Sequence, residues 1–476
     1  MVSTSSSSSS FVVTTILQQC LSLLVSCLRW LISWISKTVT DLSSRLFGSF
    51  GPVITLDTGR KVRLGRQIAQ GGFSFVFEAT PVGDEAHSTA TIATTATATT
   101  AATSSNTIYA LKRIQCPDAE SIQACRREAA VHRSIGTHHP NILPLWGLAI
   151  SVSGSECYML FPYLPHSLRA EVNRRLWEPR DVIYNRRPPW TPVYVVLQLF
   201  LGICHGVQAL HEAGYSHRDV KLENVLLANA DSSSSSLSSS LQFVRPVLMD
   251  FGSAGPLSQD ISTRRQVLQV IDSAAQHTTM SYRPPELFEG GVRAGDPTLD
   301  YTKVDVWSLG CTLFAMLYGA SPLESEFYNN TTTTTTTSTS RSSGNGTNHS
   351  RSLGPLKIVD CTHLKVLATL PPRPPAHSPV AEWYDPAILT LLGEVFTHDR
   401  QRRPTLPAVM ERVTALITQW GGRVDPHPYH HQLHTLHHAS APTSGGTASV
   451  YGDSDHYHHH HHIEDDIALL SANRLV

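Results

Sequence analysis

A narrow stripe of polar residues runs through the otherwise apolar segment from Phe11 to Phe50. This spacing, one polar residue every three or four positions, predicts an amphipathic helix, because residues three and four apart share one face. Three bulky side chains, Trp30, Trp34 and Phe47, lie among the Leu, Ile and Val residues around the stripe. The polar positions are Gln18, Ser22, Ser26, Arg29, Ser33, Lys37 and Thr40.

Three placements of this predicted helix are open. A helix lying in one membrane leaflet would keep Arg29 and Lys37 at the headgroups and bury the tryptophans. A spanning helix over residues 11–36 would place Arg29 inside the bilayer, at a cost of about 2.5–3.5 kcal/mol. A helix packed on the folded part of the chain is the third. The in-plane anchor is favoured, so residues 1–50 are predicted to associate with a membrane surface.

The pattern changes to short strands and then helices over residues 60–420. Alternating apolar positions on both sides of a glycine pair predict a β-hairpin over residues 66–77. Short apolar runs predict strands at 108–114 and 157–161, and helical spacing of apolar residues predicts a helix over 197–214.

Low-complexity segments interrupt and follow this domain. Residues 83–106 are mostly Ala and Thr, 231–240 are mostly Ser, and 325–352 contain a long Thr run. Residues 421–476 are rich in His, Pro and Ser. None of these segments can bury enough apolar area to offset the entropy lost on ordering. We therefore expect three surface inserts and a disordered His-rich tail.

Composition excludes several classes of protein. Hydrophobic residues make up 41% of the 476 residues, enough for a sizeable core, and the formal net charge is -1. Such a balance gives no global basic field, so nucleic acid is not an expected partner. The eight cysteines include no CxxC pair, which is typical of reduced intracellular thiols rather than of a disulfide framework or a zinc site.

Two short segments carry the candidate chemistry. They supply Asp219, which can orient a hydroxyl and accept its proton, and Lys221, which can steady a transferring phosphoryl group. Asn224 and Asp250 supply two oxygen ligands for Mg²⁺. The ordered set resembles that of protein kinases, in which alignment and charge neutralisation do most of the catalysis. The segments are His217-Arg218-Asp219-Val220-Lys221-Leu222-Glu223-Asn224 and Asp250-Phe251-Gly252.

The hairpin and the next strand resemble the nucleotide end of a kinase. The kinase pattern has glycine at positions 69, 71 and 74, where this chain has Ala69, Gly71 and Ser74. Lys112 matches the lysine that contacts the α- and β-phosphates and pairs with a helix glutamate, here Glu128. The segment 161–164 would supply a gatekeeper and a hinge for adenine. The residues assigned to ATP are Ile68, Ala69, Gln70, Gly71, Gly72, Phe73, Ser74, Val76, Ala110, Lys112, Glu128, Phe161, Pro162, Tyr163 and Leu164.

The same resemblance implies the acceptor and part of the scaffold. Lysine at position 221 points to serine or threonine as the acceptor, and Thr279 sits where such kinases place a threonine that bridges the catalytic aspartate and lysine. Glu286 and Arg403 are expected to form a buried ion pair. Asp305 is expected to hold the backbone of the catalytic loop.

Longer matches resemble the Numb-associated kinase family, and within it the small myristoylated and palmitoylated branch with its yeast vacuolar-membrane relative. The resemblance covers about residues 62–420 outside the inserts. It implies a constitutively capable serine/threonine kinase that autophosphorylates, sits on Golgi or vacuolar membranes through fatty acylation, and acts in trafficking and secretion. The matching stretches are Gly71–Ser74, Tyr109–Ile114, Gly214–Asp219, Pro246–Ser253 and Ala274–Tyr282.

The chain departs from this branch at two positions. Val2 stands where N-myristoylation needs glycine, so myristate is not expected. Pro284 replaces the usual alanine before Pro285. Cys20 and Cys27 lie seven apart on nearly the same face of the predicted helix and are candidates for palmitate. Each buried methylene of an acyl chain would add about 0.8 kcal/mol to membrane binding.

We therefore expect a monomeric protein serine/threonine kinase that uses ATP and Mg²⁺ and acts on protein substrates. The resemblance implies an α+β fold that is bilobal, with a β-rich N-lobe and a mainly helical C-lobe. The protein should lie on the cytoplasmic face of a Golgi or vacuolar membrane. One alternative is a membrane-anchored pseudokinase scaffold, suggested by Ala69 and Ser74. Another is a transmembrane receptor-like kinase. Candidate autophosphorylation sites are Thr278, Ser281 and Tyr282.

Overall fold

The computed structural model describes ten stretches of the chain, all within one compact unit. The predicted N-terminal helix, the inserts 83–106 and 231–240 and the His-rich tail beyond residue 422 lie outside these stretches. The described residues are 51–71, 74–82, 108–177, 190, 192–229, 244–288, 297–327, 356–368, 372–376 and 379–422.

The N-lobe is built on a six-stranded antiparallel sheet of order β1-β2-β3-β4-β6-β5. Its strands alternate apolar residues, so each face can pack against a separate cluster of side chains. One cluster contains Leu111 and Leu160, and the other contains Met159 and Phe161. The strands are β1 (Val53–Thr55), β2 (Lys61–Gln70), β3 (Ser74–Pro81), β4 (Tyr109–Gln115), β5 (Gly147–Ile150) and β6 (Glu156–Pro162).

One long helix, α1 (Ala119–Ile135), accompanies this sheet. Asp118 caps its first turn by accepting a hydrogen bond from Ser121 N at 2.8 Å, and Gly136 ends it with φ of 81°. The face that carries Cys125, Glu128 and Ala129 is buried. The helix therefore presents a carboxylate to the interior from a fixed position.

The C-lobe is mainly helical and surrounds two buried helices. The first, α3 (Tyr194–Glu212), is long and apolar enough to cross a membrane, but within the described part of the chain most of it is buried in the core. The second, α5 (Tyr301–Tyr318), is buried along nearly its whole length. The helices beyond α1 are α2 (Leu168–Trp177), α3 (Tyr194–Glu212), α4 (Arg264–His277), α5 (Tyr301–Tyr318), α6 (His363–Ala368), α7 (Pro386–Val395) and α8 (Leu406–Gln419).

Short strands position the loops between the lobes. One sheet has three strands in the order β10-β9-β7. Because β9 follows the first candidate catalytic segment, β10 precedes the second and the two strands are antiparallel, both segments lie at the same end of this strand pair. The remaining pairs are β8 with β11, β12 with β13 and β14 with β15. These strands are β7 (His166–Ser167), β8 (Tyr215–Ser216), β9 (Val225–Asn229), β10 (Val244–Leu248), β11 (Gly255–Pro256), β12 (Ser258–Asp260), β13 (Thr298–Asp300), β14 (Ser325–Phe327) and β15 (Leu356–Ile358).

The predicted α+β class and bilobal division are confirmed by this arrangement. One predicted boundary was wrong. Residues 325–327, assigned to the third insert, form β14 and pair with β15. Phe327 is buried against Phe314 and Tyr318, with ring centroids 6.1 and 5.1 Å away. A three-residue strand is too short to show its own alternation, and its partner lies beyond the insert.

Candidate active site

The hairpin of β2 and β3 brings its backbone close at the predicted glycine turn. Gly71 N donates to Ser74 O at 2.7 Å, and a Cβ on Gly71 would lie 3.0 Å from Ser74 Oγ. Ala69 pairs with Val76 across the hairpin, next to Gln70. Ile68 also lies on β2, whereas Gly72 and Phe73 fall outside the described residues.

Lys112 on β4 joins the two lobes electrostatically. Its Nζ lies 2.8 Å from Glu128 Oε1 on α1 and 3.0 Å from Asp250 Oδ1 in the C-lobe. Burial lowers the pKa of Lys112, but the two carboxylates more than offset this and raise it well above its usual value. Lys112 in turn holds the pKa of Asp250 below its usual range. The site therefore carries a fixed cation beside an ionised carboxylate.

Apolar residues predicted to contact adenine belong to one cluster of packed side chains. Ala110 pairs in register with Phe161 on β6, and Pro162, Tyr163 and Leu164 follow as the link to the C-lobe. Ala110 and Leu164 pack against the same cluster as Leu226 on β9. The predictions missed Leu226, although its place two residues beyond Asn224 in an apolar strand could have indicated it.

Asp219 is the centre of the acceptor end of the site. Its Oδ1 accepts hydrogen bonds from Thr279 N at 2.9 Å and Thr279 Oγ1 at 2.7 Å. Its Oδ2 accepts from Lys221 Nζ at 2.7 Å, and Lys221 also donates to Thr279 Oγ1 at 2.7 Å. Asn224 Nδ2 donates to the Asp219 carbonyl at 2.8 Å. The predicted threonine bridge between the aspartate and the lysine is confirmed.

Asp305 on α5 holds the backbone of the catalytic loop at His217 and Arg218. This fully buried carboxylate accepts from His217 N and Arg218 N, each at 2.8 Å, and lies 2.9 Å from His211 Nε2. The predicted scaffolding role of Asp305 is confirmed. Arg218 and Asp250 both have positive φ, of 68° and 65°. Non-glycine residues adopt this conformation at a cost, and the strain is typical of functional loops.

A stack of rings couples α1 to the segment that carries Asp250. Phe251 packs between His132 and His217, with ring centroids 4.4 and 5.5 Å away. His132 also lies 5.2 Å from the ring of Phe161. Burial and the nearby Lys112 charge lower the pKa of His132 to about 3, so the ring is neutral in the folded protein.

The stack predicts how stability depends on pH. An unfolded histidine gains a proton below about pH 6.5, whereas folded His132 does so only near its pKa of about 3. The unfolded state therefore binds more protons between these values, and stability falls as the pH drops through this range. In urea titrations, the loss of unfolding free energy from pH 7 to pH 5 should be about 2 kcal/mol smaller in His132→Leu than in wild type. Equal losses in the two proteins would contradict this assignment.

A cleft of about 430 Å³ contains residues from both predicted ends of the site. Of the residues predicted to bind ATP, Ser74, Lys112 and Glu128 line it, and the predicted hinge residues 161–164 are not among its lining. Lys112, Glu128 and Asp250 line it together with Asp219 and Lys221. Gln276 and His277 at the end of α4 also line it, and sequence reasoning did not assign them. The separated motifs thus converge on a single cavity between the lobes.

Residues 93–413 match the protein kinase domain family. The chain belongs to the protein kinase family. It is 32% identical over 311 residues to serine/threonine-protein kinase 16 of rat and of human, covering 65% of this chain and 81% of each relative. It is 26% identical over 312 residues to serine/threonine-protein kinase ppk13 of Schizosaccharomyces pombe, covering 61% of this chain and 81% of that protein. The chain is a serine/threonine protein kinase.

The kinase site suits a nucleotide bound with a divalent cation. Asn224 uses its amide nitrogen on the Asp219 carbonyl, which leaves its side-chain oxygen as a ligand atom. Asp250 contributes one carboxylate oxygen to Lys112 and has a second. No cluster of three or more His, Cys, Asp or Glu side chains suited to a metal occurs among the described residues. Two protein oxygens completed by phosphates and water could hold a divalent cation, which would neutralise phosphate charge there.

The segment around Thr279 is held by burial of some residues and by hydrogen bonds of others. Ser281 and Tyr282 are buried, and the Thr278 hydroxyl donates to Ala274 O at 2.8 Å and accepts from Arg283 Nε at 2.6 Å. Phosphorylation at any of these three candidate positions would require this segment of the kinase to open. The predicted ion pair lies next to it, and is confirmed: Glu286 accepts from Arg403 at 2.6 and 3.0 Å.

Proposed function

We propose that this kinase belongs to the Numb-associated family, transfers the γ-phosphate of ATP with Mg²⁺ to serine and threonine hydroxyls, and autophosphorylates as a monomer. We further propose that it is tethered to the cytoplasmic face of a Golgi or vacuolar membrane and acts in trafficking or secretion, without a nucleic-acid partner. The sequence motifs of both lobes support the family assignment.

The hydrogen-bonded arrangement of Asp219, Lys221 and Thr279 carries the catalytic part of this proposal. An acceptor hydroxyl that hydrogen-bonds to the Asp219 carboxylate beside this bridge would have Asp219 as its proton acceptor. Lys221 would stabilise charge on the transferring group. Lys112 would hold the α- and β-phosphates, with Asn224 and Asp250 as ligands of the cation.

Autophosphorylation is tested by intact-mass measurement after incubation with ATP and Mg²⁺. Wild type should gain phosphates, and Asp250→Ala should gain none, because the variant loses both a metal ligand and the partner of Lys112. Asp272→Ala, on an exposed position of α4, is the matched control and should behave as wild type. Chelation of divalent cations with EDTA should abolish the gain in every protein. Equal phosphate on wild type and Asp250→Ala would contradict the proposal.

The membrane part of the proposal rests on the sequence pattern of residues 11–50 and on the family resemblance. Full-length protein should float with anionic phospholipid vesicles, and a variant lacking residues 11–50 should not. Protease protection of residues 1–10 would identify a spanning helix instead. Acyl-exchange labelling of Cys20→Ser and Cys27→Ser variants tests palmitate at each thiol. Failure of the full chain to float would overturn the tether.

A further inference from the structure

We propose that Arg169 occupies, from within the kinase, the place that a basic residue of a substrate would otherwise take beside the acceptor site. By pairing with Glu223, Arg169 removes this carboxylate as a partner for the substrate and makes the enzyme indifferent to basic residues near the acceptor. The inference rests on the kinase activity described above and names a substrate class for it, namely peptides not selected for arginine or lysine.

Glu223 is an outward-facing carboxylate in the catalytic loop. It lies between the buried residues Leu222 and Asn224, yet its side chain is 46% exposed. An acceptor hydroxyl must reach Asp219, so the residues beside it have to pass over this loop. An extended peptide advances about 3.3 Å per residue. A side chain two or three residues from the acceptor therefore falls within reach of Glu223.

Arg169, at the start of α2, is fixed against this carboxylate by three hydrogen bonds. Its Nε donates to Glu223 Oε1 at 2.7 Å across 54 residues of sequence. Its Nη1 donates to Gly319 O at 2.9 Å, and its Nη2 donates to Tyr282 OH at 3.3 Å. Tyr282 belongs to the same segment as Thr279. The Arg169 guanidinium therefore connects the catalytic loop, through Glu223, with the segment that carries Thr279 and Tyr282.

The surroundings of Arg169 keep it charged and in place. Burial lowers the pKa of its guanidinium, but Tyr282, Glu223 and Glu324 more than offset this and raise it. Only 21% of its side chain is exposed. A substrate arginine would have to displace all three hydrogen bonds to reach Glu223, and would gain one ion pair in exchange. The ion pair of Arg169 with Glu223 is therefore more stable than a pair of Glu223 with a substrate arginine.

Removal of the arginine should expose a new preference. Without Arg169, the Glu223 carboxylate loses its hydrogen-bonded partner. A basic residue of the substrate could then form a charge-assisted hydrogen bond of ordinary strength with it, worth about a factor of ten in kcat/KM.

The test measures selectivity with serine peptides that carry Arg, Gln or Glu at each position around the acceptor. The quantity compared is the ratio of kcat/KM for the Arg and Gln peptides within each protein, so changes in overall activity cancel. Wild type and Glu223→Gln should show the same ratio, near one, at every position. Arg169→Gln, which retains a hydrogen-bond donor, should gain about tenfold at one position, and the double variant with Glu223→Gln should lose this gain.

A charge-swapped protein, Arg169→Glu with Glu223→Arg, serves as the second variant and should not gain a preference for arginine. A strong preference for arginine in wild type that Glu223→Gln removes would overturn the proposal, because it would show that substrates displace Arg169. An unchanged ratio in folded Arg169→Gln would also overturn it. Wild type that phosphorylates no peptide at all would instead count against the kinase activity itself.

Discussion

Replacing Asp219 with asparagine is expected to lower kcat for peptide phosphorylation by about 10²–10⁴-fold. Asparagine has nearly the same shape and can still accept from Thr279, but it cannot take a proton from the attacking hydroxyl. Lys112 pairs with Glu128 and Asp250, whereas the Asp219 carboxylate accepts hydrogen bonds from Thr279 and Lys221. ATP affinity, measured by equilibrium titration, should therefore change little.

The combination of lost turnover and retained nucleotide binding separates catalysis from folding. Asp272→Asn, the same chemical change on an exposed face of α4, should keep the wild-type kcat. If Asp219→Asn retained kcat within threefold of wild type, Asp219 would not be the group that receives the hydroxyl proton. A parallel loss of ATP affinity would mean that the variant disturbs the cleft as a whole.

Replacing Arg403 with methionine is expected to lower the free energy of unfolding by about 3–5 kcal/mol. Arg403 is 1% exposed and Glu286 is 3% exposed, so the variant leaves a buried carboxylate without its cation. It also removes hydrogen bonds from Arg403 to Lys303 O at 2.7 Å and to Thr397 O at 3.1 Å. Urea titration of wild type and variant measures the difference.

The cause of this loss can be isolated with a double variant. Glu286→Leu combined with Arg403→Met removes both charges, so its loss of stability should be smaller than the sum of the two single losses. A strictly additive double variant would show that the charges act independently. A loss below about 1 kcal/mol for Arg403→Met would place the pair among ordinary surface ion pairs.

Much of the site could be predicted from sequence because its chemistry is local. Asp219, Lys221 and Asn224 fall within one short loop, and the resemblance of that loop to the catalytic loop of protein kinases implies their roles. The ion pair of Lys112 with Glu128 could be predicted because an ammonium in an apolar strand needs a partner, and the resemblance to kinases indicates which glutamate it is. The strand predicted at 157–161 is Glu156–Pro162, and the helix predicted at 197–214 is Tyr194–Glu212. Because the apolar residues of these two elements recur with a clear period, their predicted bounds agree with the structure to within a few residues.

The features that escaped prediction depend on packing between distant segments. The stack of Phe251 on His132 requires the lobes to meet, and nothing in either local sequence marks a buried neutral histidine. The hydrogen bonds of Arg169 to Glu223 and Tyr282 join elements far apart in the chain. Such contacts are decided by the tertiary fold rather than by spacing along the sequence.

The most direct measurement is transfer of the labelled γ-phosphate of ATP, with Mg²⁺, to three peptides that differ only in having serine, threonine or tyrosine as the acceptor. With wild type, the arrangement of Asp219, Lys221 and Thr279 predicts label on the serine and threonine peptides and background label on the tyrosine peptide. With Asp250→Ala, none of the three should be labelled. Equal label from Asp250→Ala, or tyrosine labelled as fast as serine, would contradict the account.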